Sequence, residues 1–423
     1  MRLLYIAHRM PFPPNKGDKI RSFNILNHLV KRHDVYLACL VDDKSDLRFV
    51  AEMEQRVRRF VFDQIRPRMK KLLALGGMFR SRPITVGYFY STDLQRQIDI
   101  IIDEFDIDAF VCSSSPMAEY LYRSRHANGK IRRALRVMDL IDIDSFKWAQ
   151  YAEQGQWWTS PIYRYEARHL AEYEQNIARI FDHVLVVSEQ EKMVFPGGSD
   201  WPNLDAMSNG VDLDYFTPVQ PVTPSMTRPT LVFTGAMDYL ANIDGIKWFV
   251  EYVFPQVQAA VPDVELLIVG SKPTREIRRL GGIRGVVVTG FVEDVREYLA
   301  RASVCIVPLR VARGIQNKVL EAMAMGKAVI CTPQAHEGIR ASPNREVIVA
   351  ESADAFAAET IRLLGDQTRA RQLGVAARLC VEKEYAWDKN LSLLDRILSG
   401  SPATVPPAGR MAGPAESTET AKR

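Results

Sequence analysis

The chain has 423 residues, 47% apolar and 25% charged, enough for two or three domains with separate cores and in the balance of a water-soluble globular protein. Its 55 basic and 51 acidic residues leave a net charge of +4, which is too small for this length to mark a nucleic-acid binder. Five cysteines, odd in number and without a Cys-x-x-Cys pair, fit reduced core residues better than a disulfide framework or a zinc site. The histidines show no metal-ligand spacing. No run of eighteen apolar residues occurs, and the opening Met1-Arg-Leu-Leu-Tyr-Ile-Ala is too short for a secretory apolar core. The expectation is a cytoplasmic protein whose membrane contact is peripheral.

Leu3 to Ala7 reads as a buried strand. A loop with three prolines and Gly17 follows, then a helix from Ser22 to Lys31. Strand, glycine loop and helix make a Rossmann-like opening, although the G-x-G-x-x-G fingerprint is absent. Lys16, Lys19 and Arg21 can contact an anion or be solvated; His8, at the end of the strand, can pack or face a ligand. Val35 to Val41 is the second strand. From Glu54 to Arg82 basic residues interleave with large apolar ones, such as Phe60, Phe62, Leu72 and Phe79. That pattern fits a surface segment on anionic lipid, or a solvated helix covering the sheet. Ile107 to Cys112 and Leu135 to Met138 read as strands, the latter running into a polar turn with Asp139 and Asp142. Tyr163 to Arg179 is a long helix, and Val184 to Val187 another strand. Asn209-Gly-Val-Asp212 closes a first domain, 1–213. Four prolines mark 214–229 as a linker.

The second domain, 230–381, repeats this grammar. Thr230 to Thr234 is a strand, followed by a glycine loop from Gly235 to Asn242 and a helix near Ile246 to Val261. Val264 to Val269 and Val286 to Thr289 are further strands. Ser303 to Val307 leads into P-L-R-V-A-R-G-I-Q-N-K-V-L-E-A-M-A-M-G, residues 308–326. Helical periodicity runs from Ile315 to Met325, with Gly314 opening the helix and Gly326 closing it. Its amino end suits phosphate oxygens, and Lys318 adds a full charge. Glu321 cannot bind phosphate but can accept hydrogen bonds from a diol such as a ribose, on the same flank as Asn317 and Lys318. Phosphate plus diol suggests a nucleotide; the competing reading is an ordinary amphipathic helix. Glu382 to Leu398 is a last amphipathic helix. Residues 399–423, rich in Pro, Gly, Ala, Ser and Thr, are expected to be disordered.

L-E-A-M-A-x-G before an apolar strand resembles the donor-site helix of retaining GT-B glycosyltransferases of family 4 (group 1). The form R-G-I-Q-N-K-V-L-E-A-M-A resembles a subgroup tied to exopolysaccharide synthesis, including sugar transferases of the PEP-CTERM/exosortase system. The resemblance spans about residues 1–395. It implies an α/β GT-B fold, two Rossmann-like domains facing across a cleft, with the 382–398 helix crossing back to the first. It implies transfer from a nucleoside-diphosphate sugar to a lipid-linked saccharide, and no cofactor or metal. The donor contacts would be Gly17, Gly235, Asn242, Arg313, Gly314, Ile315, Gln316, Asn317, Lys318 and Glu321, with Glu321 on the ribose. Arg313 stands where the family usually has a Glu. Neither the Arg nor the Lys that usually follows the second glycine loop is present, so Lys318 must neutralise the leaving diphosphate. Asp139 or Asp142 stands where the family places a residue that touches the sugar. Lipid-linked acceptors in the family add weight to membrane contact by 54–82, on the inner face of the plasma membrane.

Three D-x-D triplets occur, Asp106/Asp108, Asp142/Asp144 and Asp212/Asp214, of which the middle one is best placed for a cation. Gly326-Lys327 is not a Walker A sequence, because Ala328 replaces Ser or Thr. Two rivals stand beside the transferase: a nucleotide-sugar epimerase or hydrolase with the same donor site, and a non-catalytic scaffold of polysaccharide assembly.

Overall fold

A computed structural model describes residues 1–65, 82–154, 158–198, 201–218, 228–312 and 314–400. The chain divides into two compact units. One is Met1–Met207 together with the chain from Leu391; the other is Ser208–Asn390. Each is an α/β unit built on a parallel sheet, the expected GT-B architecture of two Rossmann-like halves.

The first sheet holds β1 (Arg2–Ala7), β2 (Asp34–Val41), β3 (Arg59–Gln64), β4 (Ala109–Ser113), β5 (Leu135–Ile141), β6 (His183–Val186) and β7 (Leu204–Ala206), in the order β3-β2-β1-β4-β5-β6-β7. Its central strands read as unbroken apolar runs because helices cover both faces. Leu3, Leu4, Tyr5 and Ile6 of β1 are fully buried. In register, Ala7 pairs with Ser113 and Ser113 with Asp139, so β1, β4 and β5 end in one row. The second sheet holds β8 (Thr230–Thr234), β9 (Glu265–Val269), β10 (Val286–Gly290), β11 (Val304–Val307), β12 (Val329–Cys331) and β13 (Ile348–Val349), in the order β10-β9-β8-β11-β12-β13.

Several boundaries differ from the sequence reading. The first helix spans Gly17–Val30, five residues earlier than expected, so Gly17 is its first residue and is exposed. Lys19 and Arg21 lie inside that helix and are buried in ion pairs, with Asp46 at 2.9 Å and Asp139 at 2.7 Å, and neither awaits an anion. The helix of the second unit spans Asn317–Ala324, so Gly314 does not open it. Gly314 turns the chain with φ of 60°, and Gly326 leaves the helix with φ of 66°, left-handed values that glycine adopts without strain.

The compact division falls after Met207, and N-G-V-D groups with the second unit. Val211 donates to the Tyr385 carbonyl at 2.8 Å, and the Asn209 carbonyl accepts from Asn390 at 2.8 Å. Those bonds also break the expected Glu382–Leu398 helix. One helix ends at Glu384, the chain pairs Ala386 with Val211, and a new helix runs Trp387–Leu398. A side chain at Gly210 would meet Trp387 at 2.7 Å, which keeps that position bare.

Of the basic stretch 54–82, residues 66–81 lie outside the described residues. It starts in the last turn of the Val50–Arg56 helix and continues into β3, and Arg56, Arg58 and Arg59 pair with Glu52, Asp34 and Glu104. Most of the linker (219–227) and the tail (401–423) are likewise outside the described residues. Among the described residues no helix is long and apolar enough to cross a membrane.

Candidate functional site

In the second unit the glycine loop after β8 meets the Asn317–Ala324 helix. Gly235 sits where a Cβ would lie 2.7 Å from Asn242 Nδ2 and 3.0 Å from Lys318 Nζ. Lys318 Nζ donates to Asn242 Oδ1 at 2.5 Å, while Asn242 Nδ2 donates to the Ala236 carbonyl at 2.8 Å. Beneath the ammonium lies the Phe233 ring, its centroid 4.7 Å away. Three residues singled out in the sequence thus converge. Gly270 keeps the neighbouring backbone close, since a Cβ there would strike the Gly235 carbonyl.

Burial pushes the Lys318 ammonium down to about 7, against the opposing charge of Glu321. The same burial pushes the Glu321 carboxyl up to about 7, against Lys318. Both side chains keep part of their surface open. A buried cation without a full counter-charge is what an incoming anion would stabilise. Gln316 precedes the helix without capping it through its side chain, Ile315 is buried, and Asn317 Oδ1 accepts from Asn209 Nδ2 at 3.3 Å. Arg313 lies outside the described residues. β10 lies along an open hollow of about 700 Å³, lined by Pro273, Arg278, Val287, Thr289 and Phe291. Phe291 is 75% exposed.

In the first unit the two aspartates part company. Asp139 is 1% exposed and takes three hydrogen bonds from Arg21, at 2.7 to 3.0 Å, while Arg21 also donates to the Met207 carbonyl. Where the sequence suggests a residue that orients the sugar, the Asp139 carboxylate is sealed in an internal pair with Arg21. Asp142 lies beyond a kink. Ile141 has φ of 70°, a left-handed value that costs a β-branched residue roughly 1–3 kcal/mol. Burial raises the Asp142 pKa, and Asp144 adds to the rise while Lys147 opposes it.

Two glutamates that sequence reasoning missed hold this turn. Glu191 Oε2 accepts from the Ile143 amide at 2.8 Å; Glu174 accepts from the Ser145 amide at 3.1 Å and from its hydroxyl. Burial pushes the Glu174 carboxyl up to about 8. A signal existed: Glu166, Leu170, Glu174 and Ile177 share the buried face of the Ser160–Ile180 helix, an amphipathic stripe with two acids in it. Glu166 serves likewise, accepting from the Ile84 and Thr85 amides at 2.6 and 2.8 Å and so capping the Ile84–Phe89 helix.

Three of the other D-x-D aspartates have protein partners. Asp212 accepts from the Asp214 and Tyr215 amides, Asp108 from the Arg2 amide, and Asp144 pairs with Lys147.

Comparison with known proteins agrees with this picture. Residues 228–366 match the family model described as glycosyl transferases group 1. A GDP-mannose-dependent monoacylated alpha-(1-6)-phosphatidylinositol monomannoside mannosyltransferase from Corynebacterium glutamicum is 31% identical over 218 residues, 48% of this chain and 57% of that protein. The match thus spans little more than half of that relative. Among solved structures, sucrose-phosphate synthase from Thermosynechococcus elongatus is similar with a TM-score of 0.70 at 19% identity, over 94% of this chain and 98% of the other. HepE from Anabaena, in complex with UDP and glucose, is similar with a TM-score of 0.67 at 14% identity, over 94% and 99%. At those identities the structures speak for the fold alone. Residues 228–366 of this chain carry the group 1 glycosyl transferase pattern, in a chain that shares the GT-B-type fold of these structures.

Proposed function

We propose that the protein transfers a hexosyl group from a nucleoside-diphosphate sugar to a saccharide acceptor, with retention of configuration. The observation that carries the reading is the convergence of Gly235, Asn242 and Lys318, one helical turn from Glu321, inside the segment that matches the family model. The bare Gly235 lets the backbone approach the diphosphate, and Lys318 supplies its counter-charge. Glu321 accepts from the ribose hydroxyls, and the exposed Phe291 ring offers a face to the base. Asp142 orients the sugar or the acceptor hydroxyl. The anomeric carbon loses its bond to the diphosphate oxygen and gains one to the acceptor oxygen. The acceptor proton passes to the leaving diphosphate, so charge accumulates where Lys318 stands. Beyond the donor and the acceptor, this reading requires no cofactor.

The finer reading is an acceptor that is lipid-linked and belongs to exopolysaccharide synthesis, at the inner face of the plasma membrane. The family 4 and PEP-CTERM-type resemblance of 313–324 supports it, as does the lipid-acting mannosyltransferase relative. The test is a titration of UDP-, GDP- and ADP-sugars into the purified protein, followed by turnover with the donor that binds. Lys318→Met and Glu321→Gln should each lower turnover by roughly 100-fold or more. Wild-type turnover in both variants would sink the assignment.

A further inference from the structure

The first unit carries a histidine that the donor chemistry does not use. His8 follows β1 and is 6% exposed. Its Nε2 lies 3.0 Å from Asp18 Oδ2, and its ring packs edge-on to Phe89 with centroids 5.5 Å apart. Burial alone would raise the Asp18 pKa. The hydrogen bond from His8, with the charge and hydrogen bond of Arg9, outweighs that and holds it far below the usual carboxylate range. An ionised carboxylate can only accept, so Nε2 carries a hydrogen, and in the neutral ring Nδ1 then keeps its lone pair. That Nδ1 is buried and has no hydrogen-bond partner among the described residues. Leaving such an atom bare forfeits the hydrogen bond it had in water, and native interiors seldom tolerate that without a use.

The neighbouring strand ends repeat the pattern. β1, β4 and β5 finish in one row. After β4, Ser114 has φ of 81° and the buried Ser115 hydroxyl also lacks a partner. After β5 comes the kink at Ile141 and then Asp142, close enough to Asp18 for their charges to interact. A bare acceptor, an unused hydroxyl and a carboxyl on three adjacent strand ends match a ligand with several hydroxyl groups. Strand ends of this kind are where open α/β sheets bind.

We propose that His8, oriented by Asp18, is a saccharide-binding residue whose Nδ1 accepts the hydrogen of an acceptor hydroxyl at the carboxyl edge of the first sheet. This rests on the reading that a saccharide acceptor is a substrate.

The test uses the full chain labelled with ¹⁵N-histidine and, as probes, methyl and octyl glycosides of glucose and mannose. His8 should appear as the Nε2–H tautomer, and its Nδ1 resonance should move as glycoside is added. His8→Phe keeps a ring against Phe89 and should weaken glycoside binding by roughly tenfold or more. His8→Asn places an amide oxygen close to the lost Nδ1 and should restore most of it. Nucleotide affinity should be unchanged in both variants. In turnover the acceptor KM should rise more than kcat falls. An Nδ1 resonance unmoved by every glycoside, or His8→Phe binding glycoside like the wild type, overturns the proposal. If nucleotide sugars bind and turn over while the His8 variants stay silent, only this inference fails. If no nucleotide binds the wild type, the transferase reading fails with it.

Discussion

Lys318 shows how one residue's surroundings set its behaviour. Phe233 below it and Asn242 beside it take water away without supplying a full negative charge, so the ammonium gives up its proton near pH 7. A bound diphosphate would favour the protonated form and raise that pKa. The Lys318 contribution to nucleotide-diphosphate affinity should therefore be fully present below about pH 7. It should fall as pH rises from there towards the pKa of the complex, approaching about tenfold per pH unit. Calorimetry in buffers of different ionisation enthalpy should detect proton uptake on binding at pH 8, and Lys318→Met should abolish both effects. A flat affinity from pH 6 to 9 would separate Lys318 from the phosphate. The sequence exposed this residue because the glycine-bounded helix start selects it by position. It could not do the same for Asp139 and Asp142, three residues apart in one polar run. Only packing reveals that Arg21 closes over Asp139 while the kink at Ile141 releases Asp142.

Among the elements, the Ser160–Ile180 helix does more than cover a sheet. Its buried acids cap one helix through Glu166 and tie the turn beyond Asp142 through Glu174. The folded-state pKa of Glu174, about 8, lies above that of an unfolded glutamate. Stability from this group is complete below about pH 4.5 and declines as pH rises through the interval to 8. Glu174→Gln keeps an acceptor for the Ser145 amide and a donor for its hydroxyl. It should flatten the fall of Tm between pH 5 and 8 and add on the order of 1–3 kcal/mol at pH 8. Scanning calorimetry across that range would show it, and a Tm that drops equally in both proteins would refute it. Periodicity found this helix, because apolar stripes are local. The partners of its acids lie tens of residues away, so their use was not legible. The first helix teaches the same lesson from its other end. Gly17, Lys19 and Arg21 resemble a loop until Asp46 and Asp139 fold against them.

For the whole molecule, the strands and the doubled grammar of the chain were readable, since parallel strands buried on both faces are written as apolar runs. The division between units was not, because prolines at 214–229 mark where the chain loosens and hydrogen bonds decide where it groups. Val211 with Tyr385 and Asn209 with Asn390 carry N-G-V-D into the second unit. The last helix serves both: Trp387 packs by Gly210, while the chain from Leu391 belongs to the first unit. Within that unit Asp395 receives His28 at 2.8 Å and Arg32, and Leu391, Leu394, Ile397 and Leu398 are buried. A chain stopped after residue 390 loses four buried aliphatic side chains, each worth roughly 1.5–3 kcal/mol. Limited proteolysis should then nick 1–207 much faster while 208–390 resists as before, and unchanged resistance in both halves would deny the helix this role. The same arrangement governs the order of events at the ribosome. The half that is synthesised first is finished last, because its closing piece leaves the exit tunnel only after the other half has been translated in full. Its open flank must therefore be tolerated, or shielded by a chaperone, for as long as translation of the inserted half takes.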